Sequence, residues 1–300
     1  MSIELRLAET NLSTPDNIIY RDIGNLPDAL TTTTLGITIH YYNHDDSSLY
    51  FQIVGSGEGY TFTPTNLGLL AGGSNAYACI DAFATRSKPS PSDLPNGEME
   101  EYITLTLKAY SDNYVTLKWT YPLDVIVHWI DSTNPAFTLD ELDNFDDGTV
   151  QYWTATAELN EEALTAGVAS DYVLSGFYSY KVMTSNYPES RVRVSKSFLT
   201  SNKDKVYAII DFRMYHHPNA TMHIKYIAID RDNTRLLFIG KPYDGSSTDY
   251  LPLNKWLRVV VPLPKNTVVN LKIIIDCHNT DVYNTLKFSW WMDDFKIVSK

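Results

Sequence analysis

Three carboxylates stand close together in Glu141-Leu142-Asp143-Asn144-Phe145-Asp146. On a strand, residues i and i+2 share a face, so Glu141 and Asp143 would project together, and a bulge would bring the third acid round. A retaining glycosidase needs two carboxyls about 5–5.5 Å apart. Asp146 has short reach for an acid catalyst, and Asn144 replaces an apolar residue that would seat the strand. The stretch is therefore read as a linker running into a strand, and no catalytic residue is assigned. His216-His217-Pro218-Asn219-Ala220-Thr221-Met222-His223 gathers three of the seven histidines. Convergent imidazoles bind Zn²⁺ or Cu²⁺, but no cysteine or carboxylate lies nearby in sequence to complete a tetrahedral set. A polar hairpin tip is the expectation. G-x-S-x-G, H-E-x-x-H and C-x-x-C are absent from the sequence. The run Gly55-Ser56-Gly57-Glu58-Gly59 lacks the Lys-Ser/Thr of a phosphate loop and reads as a turn. Cys79 and Cys277 are read as two buried thiols, since free cysteine behaves as a small hydrophobe.

The segment from Val206 to Tyr215 divides by parity. Val206, Ala208, Ile210, Phe212 and Met214 form an apolar face; Tyr207, Asp211, Arg213 and Tyr215 share the other with Ile209. In the last segment Leu286, Phe288, Trp290 and Met292 read as core, which turns Trp291 outward. Aromatic rings interleaved with Arg and Asp suit a sugar, whose C–H faces stack on rings while its hydroxyls take bidentate bonds. The same residue types favour protein interfaces. Tyr207, Asp211, Arg213, Tyr215 and Trp291 are the candidate surface for a glycan or protein partner.

The elements that must carry these residues are strands. Ile103, Leu105, Leu107 and Ala109 alternate with Thr104, Thr106 and Lys108, and Val115-Leu117-Trp119 and Val125-Val127-Trp129 repeat the period of two. Ile37–Tyr42 and Leu49–Val54 suggest a hairpin about Asn43-His44-Asp45-Asp46-Ser47. The best helix candidate is short, Glu158 to Ala166, with Asn160 as cap. The chain has 300 residues, and a boundary at Asp131-Ser132-Thr133-Asn134-Pro135 divides it into 1–132 and 133–300. The expected fold is all-β: two tandem antiparallel β-sandwiches, the first of immunoglobulin-like strand pattern and the second a jelly roll. Asp and Glu number 36 against 24 Lys and Arg, a net charge of −12, which argues against nucleic acid. The 21 Tyr, 6 Trp and 11 Phe fit β structure. No run reaches the roughly 18 apolar residues of a membrane span, and Met1-Ser2-Ile3-Glu4-Leu5-Arg6 does not open a signal peptide.

A family pattern runs through the second half. Asn144-Phe145-Asp146-Asp147-Gly148 is followed by Trp153; Ser175-Gly176-Phe177-Tyr178-Ser179-Tyr180-Lys181-Val182 comes next. Ser195-Lys196-Ser197-Phe198 and Tyr207 to Tyr215 follow, then Trp256-Leu257-Arg258-Val259-Val260-Val261-Pro262-Leu263-Pro264, and the close is Trp290-Trp291-Met292-Asp293-Asp294-Phe295-Lys296-Ile297. In that order these segments resemble a carbohydrate-binding-module jelly roll of the family 4/9 type, within the galactose-binding-like sandwiches. The resemblance implies first and last strands side by side, with a structural Ca²⁺ held there by Asp146 and Asp293 or Asp294. Calcium takes 6–8 oxygen ligands. It implies no particular ligand, because such sandwiches are reused. The expectation is a non-catalytic structural or adhesive protein at an extracellular or virion surface, a tail-fibre component among the forms considered. It would assemble as a homo-oligomer and bind glycan or protein. An accessory sugar-binding module of a polysaccharide-degrading system is the alternative, and a glycoside hydrolase the weaker one.

Overall fold

In a computed structural model of the chain, the described residues are 2–7, 17–24, 39–62, 65–73, 76–80, 84–85, 88–159, 164–184, 189–216, 222–240, 254–279 and 288–300. They form two compact units. Residues 2–7, 17–23 and 39–130 make the first, and 131–300 the second.

The first unit holds β1 (Ile3–Leu7), β2 (Ile18–Asp22), β3 (Ile39–Asn43), β4 (Leu49–Gly57), β5 (Thr61–Phe62), β6 (Thr65–Leu70), β7 (Ala76–Ile80), β8 (Ala84–Thr85), β9 (Glu98–Tyr110) and β10 (Leu117–Ile130). One sheet runs β1-β3-β7, a larger one β2-β10-β9-β4-β6, and β5 pairs with β8. The alternation read from the sequence carries the core: Ile103, Leu105, Leu107 and Ala109 of β9 and Val125, Val127 and Trp129 of β10 are buried with Leu5, Ile39 and Phe51. One pairing departs from an antiparallel sandwich, since β2 runs parallel to β10 from Ile18↔Ile126 to Asp22↔Ile130.

The expected hairpin between β3 and β4 does not form, because the two strands belong to different sheets. Asn43 stands at the crossing. Its side chain is wholly buried, and its Nδ2 donates to the carbonyls of Ser47 (3.1 Å), Leu70 (2.9 Å) and Ala71 (3.0 Å). The turn thus closes over a buried amide as the chain crosses between sheets. The glycine run is likewise no free turn. β4 continues through Gly55 and Gly57, which pair with Leu105 and Ile103, and the Phe62 and Ile103 side chains fill the space a Cβ would need. Trp119 is not core. It stands 42% exposed, donating through Nε1 to Asp45 Oδ2 at 3.2 Å.

The second unit holds β11 (Thr138–Asp143), β12 (Thr154–Leu159), β13 (Thr165–Ala169), β14 (Ser179–Thr184), β15 (Glu189–Leu199), β16 (Val206–His216), β17 (Met222–Arg231), β18 (Thr234–Gly240), β19 (Trp256–Leu263), β20 (Val268–Asn279) and β21 (Phe288–Ser299). The six-stranded sheet has the order β13-β14-β21-β16-β19, with β11 also on β21; the five-stranded sheet runs β12-β15-β20-β17-β18. This is the expected jelly-roll sandwich, with the first strand beside the last. The apolar parity of β16 faces Val192, Val194, Leu271, Ile273 and Ile275 across the core. In β21 the inward set is Trp290 and Met292, then Phe295 and Ile297. Asp294, at φ 49°, absorbs the extra residue, and the pairing with β16 shifts register between Ile209 and Asp211.

The described ends of the helix expected over 158–166 are not helical. Its ends are strands β12 and β13, and 160–163 lie outside the described residues. Short apolar runs cannot separate the two periods, and here the ladder with β15 decides. The strands that flank the histidine stretch, β16 and β17, lie in different sheets and are not a paired hairpin. His216 pairs with Phe288 in one sheet and His223 with His278 in the other, while 217–221 lie outside the described residues. No described helix is long and apolar enough to cross a membrane.

Candidate functional site

The five residues expected to present a binding face do share the outer side of the six-stranded sheet, but that side is covered. Tyr207, Asp211 and Trp291 are buried. Asp211 receives Arg258 in a bidentate pair, Nε to Oδ1 at 2.7 Å and the second nitrogen to Oδ2 at 2.6 Å. Tyr207 packs edge-on against Phe137, with ring centroids 6.2 Å apart. Trp291 and Trp256 form a second small core with Tyr172, Leu174 and Tyr215. The covering piece is the β13–β14 connection. Tyr172 meets Trp291 edge-on at 4.8 Å and carries the Arg213 guanidinium on its ring at 4.4 Å. Asp171 accepts from Trp291 Nε1 at 2.9 Å and pairs with Lys181. Burial pushes the Asp171 carboxyl up, but the bonds from Lys181 and Trp291 outweigh it and hold the group below the usual carboxylate range. The aromatic–arginine–aspartate pattern is real, and the chain itself occupies it.

Three aspartates tie this connection down, and they are the ones expected to hold calcium. Asp293 is fully buried; its Oδ2 accepts from the N–H groups of Leu174 (2.8 Å) and Ser175 (3.2 Å), and its Oδ1 from that of Asp294 (2.8 Å). Burial raises the Asp293 carboxyl to about 7 against the pull of the Ser175 and Leu174 bonds, with Asp294 adding to the rise. Asp294 Oδ1 accepts from Ser175 Oγ at 2.8 Å. Asp146 Oδ1 accepts from the N–H groups of Phe177 (2.5 Å) and Tyr178 (3.3 Å). Among the described residues, no three His, Cys, Asp or Glu side chains gather as a metal site. All three carboxylates meet hydrogen-bond donors of the same connection.

Glu141 and Asp143 also have a partner. The Lys196 ammonium, itself buried, lies against Glu141 and reaches Asp143 Oδ2 at 2.6 Å. Trp153 Nε1 donates to the same oxygen at 2.8 Å, and the Trp153 ring packs edge-on against Phe295 at 5.0 Å. The pair serves as the ionic floor of the β11–β12 turn.

That turn and the β13–β14 connection expose aromatic rings. Tyr152 is 88%, Phe177 74% and Tyr178 38% exposed, where a folded chain usually hides such surface. Both stretches are built. Phe145 N donates to Gln151 Oε1 (3.1 Å), Trp153 N to the Val150 carbonyl (2.8 Å) and Gly148 N to the Phe145 carbonyl (2.9 Å). Gln151 and Tyr152 sit at φ 47° and 68°. Asp146, in the first loop, holds Phe177 and Tyr178 in the second.

Carbohydrate-binding modules are among the solved structures similar to this chain. One, described in work on the promiscuous specificity of modules of the β-sandwich superfamily, is 10% identical with a TM-score of 0.36 over 99% of this chain and 98% of its own. The tandem CBM22-1–CBM22-2 of Paenibacillus barcinonensis Xyn10C is 11% identical, TM-score 0.35, over 99% and 91%. The single xylan-binding CBM22-1 of that protein is 14% identical, TM-score 0.32, over 53% and 93%. No protein-family model and no curated protein matches the sequence. These are likenesses of chain path. The fold assignment rests on the strand pairing above, and what those modules bind is a property of theirs.

The covering connection carried a faint sequence signal. Ser170, Asp171, Ser175 and Gly176 bracket Tyr172 and Leu174 without alternation, which marks a loop holding aromatics. Phe177 and Tyr178 read as strand by resemblance, yet β14 begins only at Ser179.

Proposed function

We propose that the chain is a non-catalytic glycan-binding protein whose second unit holds sugar on Tyr152, Phe177 and Tyr178. The observation that carries this reading is their exposure on two loops that the Asp146 carboxylate joins. A ring held out in water offers an apolar face to sugar C–H groups, and the tyrosine hydroxyls add hydrogen bonds at the rim. Ordering both loops before binding lowers the entropy lost on association. The non-catalytic part of the reading draws support from Glu141 and Asp143, which lie against Lys196.

In this role the chain serves as a structural or adhesive protein at an extracellular or virion surface, where a homo-oligomer would multiply weak sites. The test is retention on a glycan array by the full chain and by Tyr152→Ala and Phe177→Ala. Retention lost in both variants at unchanged melting temperature supports the site, and retention unaffected in both removes it. Sedimentation then separates an adhesive oligomer from a monomeric accessory module.

A further inference from the structure

The first unit carries a different surface. On the outer face of its larger sheet, one row crosses four strands: Leu69 of β6 pairs with Tyr50 of β4, Tyr50 with Tyr110 of β9, and Tyr110 with Leu117 of β10. Leu69 and Leu117 are 56% and 50% exposed. Tyr114, at φ 65°, leans edge-on over both inner rings, 5.5 Å from Tyr50 and 5.9 Å from Tyr110. Its hydroxyl accepts from Gly68 N at 2.8 Å, which secures the β9–β10 turn over the sheet. A row of hydrogen-bonding groups runs beside the rings. Tyr110 donates to Gln52 Oε1 at 3.3 Å, and Gln52 Nε2 donates to Asn66 Oδ1 at 2.9 Å.

Lys108 stands in that second row, paired with Gln52 on one side and Thr120 on the other. Its neighbours on this face are Tyr50, Gln52, Val54, Thr106, Tyr110, Leu117, Thr120 and Pro122, none of them charged. In a chain of net charge −12, a lysine whose strand neighbours on this face are all uncharged is a local positive spot. A saccharide bearing a carboxylate offers C–H faces to the rings, hydroxyls to the amides and a counter-charge to the lysine.

We propose that this face binds a carboxylated saccharide, with a sugar ring against the Tyr50–Tyr114–Tyr110 cluster, hydroxyls on Gln52 and Asn66, and a carboxylate on Lys108. A charge-assisted bond to Lys108 supplies the discrimination against neutral sugars.

The experiment is calorimetric titration of the full chain with a galacto-oligosaccharide that carries a single uronate and with the neutral galacto-oligosaccharide of equal length. The acidic oligomer is expected to bind, more weakly as salt rises, and the neutral one about tenfold less tightly or not at all. Lys108→Met should lower affinity for the acidic oligomer about tenfold and remove the salt dependence. Each titration is made with Phe177→Ala in the background, so that the surface proposed on the second unit does not contribute and the two readings fail separately. Equal binding of both oligomers, binding of neither, or full affinity in Lys108→Met overturns the proposal. So does a dimer of the chain that Leu69→Lys dissociates, since a second copy would then own the face. Tyr110→Ala is the companion variant; should it unfold, Lys108→Met still decides.

Discussion

The carboxylate of Asp146 stands where a Cβ on Gly176 would stand. Gly176 also sits at φ 70°, a conformation L side chains resist. Close approach and backbone conformation therefore select the same residue, and the N–H groups of Phe177 and Tyr178 reach Asp146 as a result.

Gly176→Ala should lower stability by about 1–2 kcal/mol from the backbone conformation alone, and more because the carboxylate must move. The expected result is a lower melting temperature together with weaker glycan retention, since Phe177 and Tyr178 lose their holder. An alanine variant with unchanged melting and retention would show that Asp146 does not order this loop.

Lys196 answers two acids from a buried position. Replacing it by Met leaves the buried Asp143 carboxylate without its cation, a loss of about 3–5 kcal/mol. Adding Asp143→Asn removes that charge and keeps an oxygen for Trp153 Nε1, so the double variant should recover part of the loss. Urea unfolding of the two variants checks this, and a double variant less stable than Lys196→Met would break the assignment.

The strand framework was legible because a buried face writes its parity into the sequence; Val206 to Met214 is inward at every second residue, as read. Partner choice was not legible. β3 and β4 have equally good inward faces, yet they join different sheets, with the buried Asn43 amide at the crossing. The burial of Tyr207, Asp211 and Trp291 was not legible for a related reason. Parity put Trp291 on the outer face of its sheet, but parity says nothing about what lies on that face, and Tyr172 and Leu174 arrive there from a connection without alternation.

Calcium can be tested in the same way. Both oxygens of Asp293 already accept peptide N–H groups, whose positive ends oppose a cation. Asp146 meets two more. A chelator is therefore expected to leave the melting temperature unchanged, and a drop reversed by added Ca²⁺ would put a cation among these carboxylates.

Trp291 should behave as core. Its ring is buried under Tyr172 and beside Tyr215, so Trp291→Ala should cost about 3–5 kcal/mol. Tyr152→Ala, exposed on its loop, should leave stability nearly unchanged. Denaturant midpoints for the two variants give the comparison, and equal midpoints would mean the β13–β14 connection does not pack on the sheet.

The last prediction concerns pH and returns to Asp293. Burial lifts its carboxyl to about 7 in the folded chain, against about 3.9 when unfolded. Between those values the folded state keeps a proton that the unfolded state has released, so stability falls as pH rises. The contribution is complete below about pH 4, lost through the interval to about 7, and flat above it. Asp293→Asn cannot titrate and keeps an amide oxygen for the Leu174 and Ser175 N–H groups. Unfolding free energy measured from pH 4 to 8 should slope downward in the parent and less steeply in the variant. Equal slopes would mean that Asp293 ionises in the folded chain as it does in water, and that its burial under residues 174–175 is not maintained in solution.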